Sequence, residues 1–494
     1  MATLPLPLSI LADVSVSVTP AGVAVPAFNQ GLIIGDSGRL PSYGANSRCV
    51  LIPGADWEAS MVALGYQTTD PEYLEMGVYF GQNAPPVTPP QYGWVGCQDP
   101  TAIQTIAVDS GHGGTGWAVN DQFLISQSNA SYGYGVVLTA PGGVVATVGI
   151  APGKQGTKYS VGTGLTCTAV LPSVGINLEV NITAVGETPL QAVTACRVKQ
   201  PAWYTVHCIP ATDADNIAIV EYAQNTQPAF QNIYSTNSLS ALLGTTGNIF
   251  TLLKTGKYSR GHGMYTTTQG GSAPNNAYQD AAVMGVAMGL NTGAPNSNFS
   301  LAAKSLVGMT PVNGGPDTNT GAPLTFDQIN VFAGTPGIGF GNNGNSYNDY
   351  AGDYDFYYQG VNSNGLSFVT VLGLDQLAAD AQVSALNVLQ SLPSIPQTDP
   401  GQALILNAIR GACNRAGTRG FLAPGTWNGP AIPLLPTGGL TPGTALNTGY
   451  WVGSSSFSTQ SSADKALFKS MPVYVAVILA GTQQSFTIAI NVQQ

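Results

Sequence analysis

The chain has 494 residues, of which 44% are hydrophobic and only 8% are charged. This length is too great for one hydrophobic core and indicates about three domains. A formal net charge of −10 and the lack of a basic stripe argue against a nucleic-acid-binding surface. A surface so poor in charge is either covered by partners or formed by uncharged polar loops of a Gly- and Asn-rich β-protein.

The charge is unevenly distributed along the chain. From Leu366 onward five Lys and Arg residues stand against four Asp residues, a net charge of +1, so the preceding part carries −11. The six cysteines lack CxxC or other ligand spacing and are interpreted as isolated core thiols in a reducing compartment. The N-terminus has no basic region before its apolar residues, and no apolar run reaches the ~18 residues of a membrane span, so we expect a soluble protein without a signal peptide.

An alternating apolar segment lies near each end of the chain. The apolar residues are Val14, Val16 and Val18 near the N-terminus, and Phe486, Ile488, Ile490 and Val492 near the C-terminus. Such alternation predicts half-buried strands, whereas residues 472–480 are apolar throughout and predict a fully buried strand. Exposed strand edges are normally paired. The terminal strands therefore pair with each other within one subunit, or each adds to the sheet of a neighbouring copy.

Between the ends, predicted helices and strands alternate, which is typical of an α/β protein. Helices are predicted at 56–65, 70–81, 213–224 and 278–290, and strands at 28–34, 93–97, 203–208, 230–234 and 298–307. The second helix has Asp70 at the N-cap and Pro71 at the first helical position. Residues 342–365 are predicted to form a loop rich in Gly, Asn and Tyr.

Residues 110–185 are rich in Gly, Val and Thr and have almost no helical periodicity. They contain a weak repeat, GTGWAVND from Gly114 and GTKYSVGT from Gly156, 42 residues apart. The repeat predicts two similar β-hairpin units, unless it is a coincidence of biased composition. We interpret this region as an inserted all-β domain that projects outward.

The C-terminal region has the most regular pattern. Residues 374–392 carry a continuous apolar helical stripe. A second helix is predicted from Asp399-Pro400 to Gly417, with a capping box formed by Asp399 and Gln402. A short helix at 463–468 and two final strands follow.

Several short motifs imitate sites of catalysis or binding. GDSG at 35–38 and TVHC at 205–208 resemble chymotrypsin-family motifs, but their chain order is reversed and their surroundings are α/β. The GxGxxG at 339–344 is followed by a loop rather than a helix. Asp349, Asp353 and Asp355 lack EF-hand spacing, and the three histidines are too far apart for a metal centre. No catalytic, cofactor-binding or metal residue is predicted, no cofactor is expected, and the protein is not expected to be an enzyme.

A series of fragments is similar to the tail sheath proteins of contractile bacteriophages, in particular a phage sheath-like subfamily. The fragments are LADVSVSVTP, FNQGLIIGDS, DPEYLEMGVYF, the helix pair from Gly373, FLAPGTWNG, GYWV, SADKALFKSMPV and AVILAGTQQSFTIAINV. None is a catalytic motif, so the specificity of the resemblance lies in their order and number. It covers most of the chain outside residues 99–196.

The resemblance implies a mixed α/β multidomain fold whose sheath core is built from both chain ends. The expected parts are an N-terminal arm (1–20), a discontinuous α/β sheath domain (21–98 and 197–350), an inserted Gly-rich all-β domain (99–196), an inner C-terminal α/β domain (351–482) and a C-terminal β-arm (483–494). The terminal arms would add strands to neighbouring subunits. Asp464, Lys465 and Lys469 would contact the tail tube, the alternative being a solvated helix face.

The resemblance also implies a structural function. Sheath subunits form hexameric rings stacked around the tail tube, and their contraction drives the tube through the host envelope for genome delivery. Expected partners are further copies of the chain, the tail tube protein, and baseplate and tail terminator proteins, with no direct nucleic-acid contact and no membrane insertion. The expected location is the virion, after assembly in the host cytoplasm. Two alternatives remain: a sheath-like or tube component of a bacterial contractile injection system, and a virion protein with a carbohydrate-binding insertion.

Overall fold

The computed structural model describes residues 27–43, 47–267, 278–289, 293–335, 339 and 341–481. Both predicted arm strands, with Val14, Val16 and Val18 and with Phe486, Ile488, Ile490 and Val492, lie outside these residues. The described part contains 11 α-helices and 20 β-strands. The mixed α/β fold class predicted from the sequence is confirmed.

A six-stranded sheet organises the first part of the chain. Its strands are β1 (Ala27–Gly35), β2 (Cys49–Pro53), β3 (Tyr92–Cys97), β10 (Trp203–Ile209), β11 (Gln231–Thr236) and β12 (Gly261–Tyr265). The strand order is β12-β11-β10-β1-β3-β2, and all neighbours are parallel except β2 and β3. The chain runs from β1 to β3 on one side and later to β10 on the other, so the strand order reverses beside β1. Crevices at such reversal points are the usual binding positions of open α/β sheets.

Helices cover both faces of this sheet. They are α1 (Trp57–Ala63), α2 (Pro71–Phe80), α3 (Pro189–Lys199), α4 (Asp213–Asn225), α5 (Leu239–Leu242), α6 (Ile249–Thr255), α7 (Gln279–Met288) and α8 (Phe326–Ala333). Strand periodicity separates two cores, since Ile33 packs on the face covered by α2 and α7, while Leu32 and Ile34 pack on the face covered by α3 and α4. All ten residues of α7 are buried, in agreement with a sequence that is apolar on every side from Ala281 onward.

A second six-stranded sheet is antiparallel throughout. Its strands are β4 (Ile103–Thr115), β5 (Gln122–Ile125), β6 (Ser131–Thr139), β7 (Thr147–Thr157), β8 (Gly162–Ala169) and β9 (Ile176–Val185), in the order β4-β9-β8-β5-β6-β7. These strands have their own hydrophobic core around Phe123, Val137 and Ile182. They lie inside the segment 99–196 for which an all-β domain is predicted. Helix α3, which begins in that segment, packs instead on the parallel sheet.

The prediction of two hairpins from the GT repeat is wrong. Trp117 follows β4 and Tyr159 follows β7, but neither β4 and β5 nor β7 and β8 are neighbours in the sheet. The two copies of the repeat connect β4 to β5 and β7 to β8, which are strands that do not pair with each other. Gly114 and Gly156 adopt left-handed φ values of +67° and +70°, which a glycine accommodates without steric cost, and the following aromatic side chain fills the core. Each copy of the repeat therefore places one aromatic side chain, Trp117 or Tyr159, in the core of the antiparallel sheet and does not form a hairpin.

The C-terminal region consists of two long helices and several short strands. Its elements are β13 (Ser346–Tyr350), β14 (Tyr354–Tyr358), α9 (Phe368–Ser391), α10 (Asp399–Thr418), β15 (Gly425–Thr426), β16 (Ile432–Pro433), β17 (Gly439–Leu440), β18 (Ala445–Leu446), β19 (Tyr450–Ser454), α11 (Ser462–Ala466) and β20 (Val473–Val477). No helix in the described ranges has both the length and the apolar character needed to cross a bilayer.

Two further predictions about local structure are wrong. Residues 342–365 contain the hairpin β13–β14 because their tyrosines favour strands, and Tyr347 and Tyr357 are buried. Residues 298–307 form no regular strand. Lys304 makes an isolated β-bridge with Tyr357. The preceding residue, Ala303, has a left-handed φ of +59°, which interrupts an extended conformation of this segment.

The predicted capping box of α10 is also wrong. Thr398 is the N-cap, and its hydroxyl accepts the N–H of Gly401 at 3.4 Å. The Asp399 carboxylate instead accepts the backbone N–H of Phe457 at 2.7 Å and the hydroxyl of Ser456 at 2.9 Å. These hydrogen bonds lower the pKa of Asp399. The carboxylate therefore ties the start of α10 to the segment that follows β19.

Candidate functional site

The C-terminal helices and strands pack as one unit. Helices α9 and α10 form an antiparallel pair, and the two-stranded sheet of β19 and β20 packs on α10. One face of β20, with Val473, Val475 and Val477, contributes to the core beneath the helices. Gln402 at the start of α10 donates a hydrogen bond to the carbonyl of Met471 at 3.0 Å. The lead-in to β20 is therefore fixed to the helix pair.

A buried ion pair joins this unit to the parallel sheet. The guanidinium of Arg260, 1% exposed, contacts both carboxylate oxygens of Asp375 on α9, with Nη2 to Oδ1 at 2.9 Å. Tyr204 on β10 donates its hydroxyl hydrogen to Asp375 Oδ2 at 2.7 Å. The two charges are 115 residues apart in the sequence and belong to different units. The pair therefore fixes α9 against the end of the sheet.

Strand β20 is less buried than the sequence predicts. It pairs with β19, and within the described residues it has no neighbouring strand on its other edge. Tyr474 is 43% exposed, and Ala476 is the only buried residue of the strand. Gly481, where the described segment ends, has a left-handed φ of +66°. The half-buried strand thus presents an edge to which a further strand can add.

The predicted tube-contact residues lie together around α11, but two of them are paired with each other. Lys469 Nζ contacts Asp464 Oδ1 at 2.9 Å, and both side chains are exposed. Asp464 also accepts the hydroxyl of Ser461, and these contacts lower the pKa of its carboxyl. Lys465 lies on the same helix turn as Asp464.

Two apolar side chains in the same turn were missed by sequence reasoning. Leu467 is 65% exposed and Phe468 is 87% exposed, and Phe468 has a left-handed φ of +55°. A bulky residue in this conformation is uncommon and costs backbone strain. The helical pattern of residues 463–468 does not indicate whether Leu467 and Phe468 are buried or exposed. We call Asp464, Lys465, Leu467, Phe468 and Lys469 the α11 surface.

The antiparallel sheet carries an open groove of about 520 Å³. Its lining includes Ser126, Gln127, Ser131, Tyr132, Tyr134 and Tyr159. Tyr132 is 55% exposed and stacks on Tyr43 at 5.3 Å between ring centroids. Tyr132 is the exposed ring of this lining, Tyr134 is half-buried and Tyr159 is buried, and hydroxyl and amide side chains flank them.

Two of the motifs that imitate ligand sites lie at or beside the hairpin of β13 and β14. The glycines at 339–344 precede strand β13, and no helix N-terminus follows them to receive a phosphate. Asp349 and Asp355 face each other across β13 and β14, and burial together with this like charge raises the pKa of Asp355. All six cysteines are free thiols, five of them buried.

Residues 368–492 match the sequence profile described as "E217 tail sheath protein gp31-like, C-terminal domain". The match covers about a quarter of the chain and coincides with the unit formed by α9, α10 and β19–β20. The C-terminal region is therefore similar to the C-terminal domain of a tail sheath protein. The resemblance to tail sheath proteins that the sequence fragments indicate is thereby confirmed, and residues 368–492 are called the tail sheath C-terminal domain below.

Similar solved structures include a sheath tail protein and chains of two larger complexes. The sheath tail protein Lin1278 from Listeria innocua is 11% identical, with 94% of this chain and 97% of that chain covered and a TM-score of 0.43. A chain of the anti-feeding prophage baseplate is 10% identical over 100% of both chains, with a TM-score of 0.49. A chain of the PVC sheath complex of an extracellular contractile injection system, in the contracted state, is 8% identical over 97% of both, with a TM-score of 0.48. A comparison with curated protein sequences gives no match.

Proposed function

We propose that this chain is the subunit of a contractile tail sheath, which polymerises as stacked hexameric rings around a tail tube and contracts to drive the tube through a host envelope. The match of residues 368–492 to a tail sheath C-terminal domain carries this proposal. Its further partners would be baseplate and tail terminator proteins. The low charge of the chain, 8%, agrees with a surface largely covered in an assembly.

Strand addition at β20 is the proposed means of self-assembly. The free edge of β20 and the half-buried state of its side chains support the addition of a strand from a neighbouring copy. Residues 13–19 and 485–492 are the candidate strands, because each alternates apolar and polar residues. A ladder persists while subunit bodies rotate, since its backbone hydrogen bonds do not depend on the contacts between outer surfaces.

The concentration dependence of mass tests self-assembly. In sedimentation velocity we expect the purified full-length chain to shift from monomers to large particles as its concentration rises. A single monomeric species at every concentration would argue against a sheath subunit.

The α11 surface is the proposed contact with the tail tube. Replacing Phe468 with serine is expected to reduce co-sedimentation with the tube protein at least ~10-fold, because an exposed aromatic anchor contributes strongly to an interface. The melting temperature should not fall, since the side chain is 87% exposed and packs on little of the fold.

Leu171→Ser is the matched control for Phe468→Ser. Leu171 is also 87% exposed, but it lies in the antiparallel sheet region after β8. This variant should bind the tube like the unmodified chain. Equal tube binding by the Phe468→Ser and Leu171→Ser variants would show that the α11 surface does not contact the tail tube.

Two alternatives to a phage tail sheath can be tested separately. A component of a bacterial contractile injection system would give similar particles without a packaged genome, so the nucleic-acid content of the native particle separates it from a phage sheath.

A carbohydrate-binding insertion is favoured by the groove beside Tyr132 and Tyr134. Host polysaccharide should then bind the full-length chain in calorimetry and lose affinity ~10-fold or more on Tyr134→Ala. Absence of any binding excludes the saccharide function.

A further inference from the structure

A cluster of ionisable side chains lies at the reversal point of the parallel sheet. Glu75 of α2, His207 of β10 and Asp280 of α7 are 0%, 6% and 2% exposed. One side-chain atom from each residue lies within 4.8 Å of the other two. His207 Nε2 is 3.1 Å from Glu75 Oε1 and 3.4 Å from Asp280 Oδ2. The tail sheath function uses none of these groups.

The imidazole is oriented by a backbone carbonyl. His207 Nδ1 lies 3.0 Å from the oxygen of Ile233, so Nδ1 carries the hydrogen and donates it. Nε2 is then the atom that faces the two carboxylates. Histidines that bind metals are usually held in this way, with the second ring nitrogen donating to a carbonyl or carboxylate.

The two carboxylates differ in their hydrogen bonding. Asp280 accepts the hydroxyl of Ser235 at 2.6 Å and the backbone N–H of Ala281 at 2.9 Å, which fixes its orientation. Glu75 Oε1 faces the imidazole of His207 at 3.1 Å, whereas Oε2 has no hydrogen-bond donor. A fully buried carboxylate with so few donors is costly unless a cation, either the imidazolium or a metal ion, neutralises it.

The spacing of the ligand atoms fits a small divalent metal ion. Bonds of about 2.0–2.2 Å in a tetrahedral site separate neighbouring ligand atoms by about 3.3–3.6 Å. The distances of 3.4 and 3.1 Å from His207 Nε2 lie within and just below this range. An adjoining cavity of about 250 Å³, lined in part by Pro210, Thr212 and Asn216, has room for water as a fourth ligand. Imidazole with carboxylates favours Zn²⁺ or a neighbouring transition metal over Mg²⁺ or Ca²⁺.

We propose that Glu75, His207 and Asp280 bind one divalent transition-metal ion, which joins α2, β10 and α7 at the edge of the sheet. The sequence predicts no metal residue, because the three histidines are far apart in the chain and Glu75, His207 and Asp280 form no local motif. The competing occupant is a proton on His207 Nε2, which would make the cluster an ion pair with both carboxylates. Burial alone lowers the pKa of His207, but Asp280 and Glu75 outweigh it and raise the pKa to about 10. Metal titration separates the two occupants.

The experiment measures Zn²⁺ binding by calorimetry on chelator-stripped full-length protein. All proteins carry His112→Ala, because His112, Asp109 and Glu179 form an exposed cluster that offers a second site. We expect one equivalent of Zn²⁺ to bind, and saturation at ~100-fold above Kd to raise the melting temperature by about 2 °C or more. Adding Glu75→Gln, which preserves shape and removes the charge, should weaken binding at least ~10-fold.

Co²⁺ spectroscopy and X-ray absorption give a second readout that needs no variant at Glu75. The bound ion should show nitrogen and oxygen ligands with one imidazole. No binding to the His112→Ala protein, unchanged affinity after Glu75→Gln, or a sulfur ligand would overturn the proposal and leave the protonated ion pair.

Discussion

Replacing Asp375 with alanine is expected to lower the free energy of unfolding by about 3–5 kcal/mol, because it leaves the buried Arg260 guanidinium without its counter-charge. The side chain of Asp375 is 11% exposed, so water replaces it poorly. Tyr204 also loses the acceptor of its hydroxyl hydrogen. Because this pair acts together with Phe368 and Leu372, which pack in the core of the sheet, to hold α9 there, we expect the tail sheath C-terminal domain to detach first. Urea unfolding followed by tryptophan fluorescence measures the loss.

Two matched variants control this result. The double substitution Arg260→Leu with Asp375→Leu should recover part of the stability, since no uncompensated charge remains in the interior. Asp464→Ala breaks an exposed ion pair with Lys469 and should leave the unfolding midpoint unchanged. A midpoint for Asp375→Ala equal to that of the unmodified chain would mean that the ion pair does not hold α9 to the sheet.

Deleting residues 485–494 is expected to abolish polymerisation while leaving the monomer folded. An added strand of this length supplies roughly six ladder hydrogen bonds at about 1 kcal/mol each, in addition to the burial of its apolar face. Sedimentation velocity and circular dichroism report assembly and folding separately.

The alternation of the C-terminal strand provides its own control. Ile488→Asn places an amide on the apolar face and should reduce assembly strongly, whereas Thr487→Asn alters the opposite face and should have little effect. Normal polymerisation of the truncated chain, or equal effects of the two substitutions, would contradict the assignment of this segment as an inter-subunit strand.

The sequence predicts elements well where local pattern and burial agree. Strand β10 was found because aromatic and β-branched residues dominate it, and helix α10 because an apolar stripe follows its face from Ile405 to Ala416. The hairpin β13–β14 was missed because Gly and Asn among its tyrosines indicate a loop, while tertiary burial of Tyr347 and Tyr357 favours strands. Local composition cannot include contacts that only the folded chain provides.

Sites depend even more on contacts distant in sequence. Lys465 and Lys469 were assigned to the tube contact because they lie four residues apart, and this assignment stays a prediction. The exposure of Phe468 depends on how the chain turns after α11. The pair of Arg260 and Asp375 spans 115 residues and has no local motif. The cluster of Glu75, His207 and Asp280 was missed for the same reason, since the parallel sheet brings three separate elements to one edge.

Negative-stain electron microscopy of the purified full-length chain tests the sheath proposal most directly. We expect tubes or rings with sixfold symmetry and an open lumen wide enough for a tail tube, with the tail sheath C-terminal domain on the inner side. A chain that remains a monodisperse monomer at high concentration, with both terminal segments intact, would contradict the proposal that it is a sheath subunit.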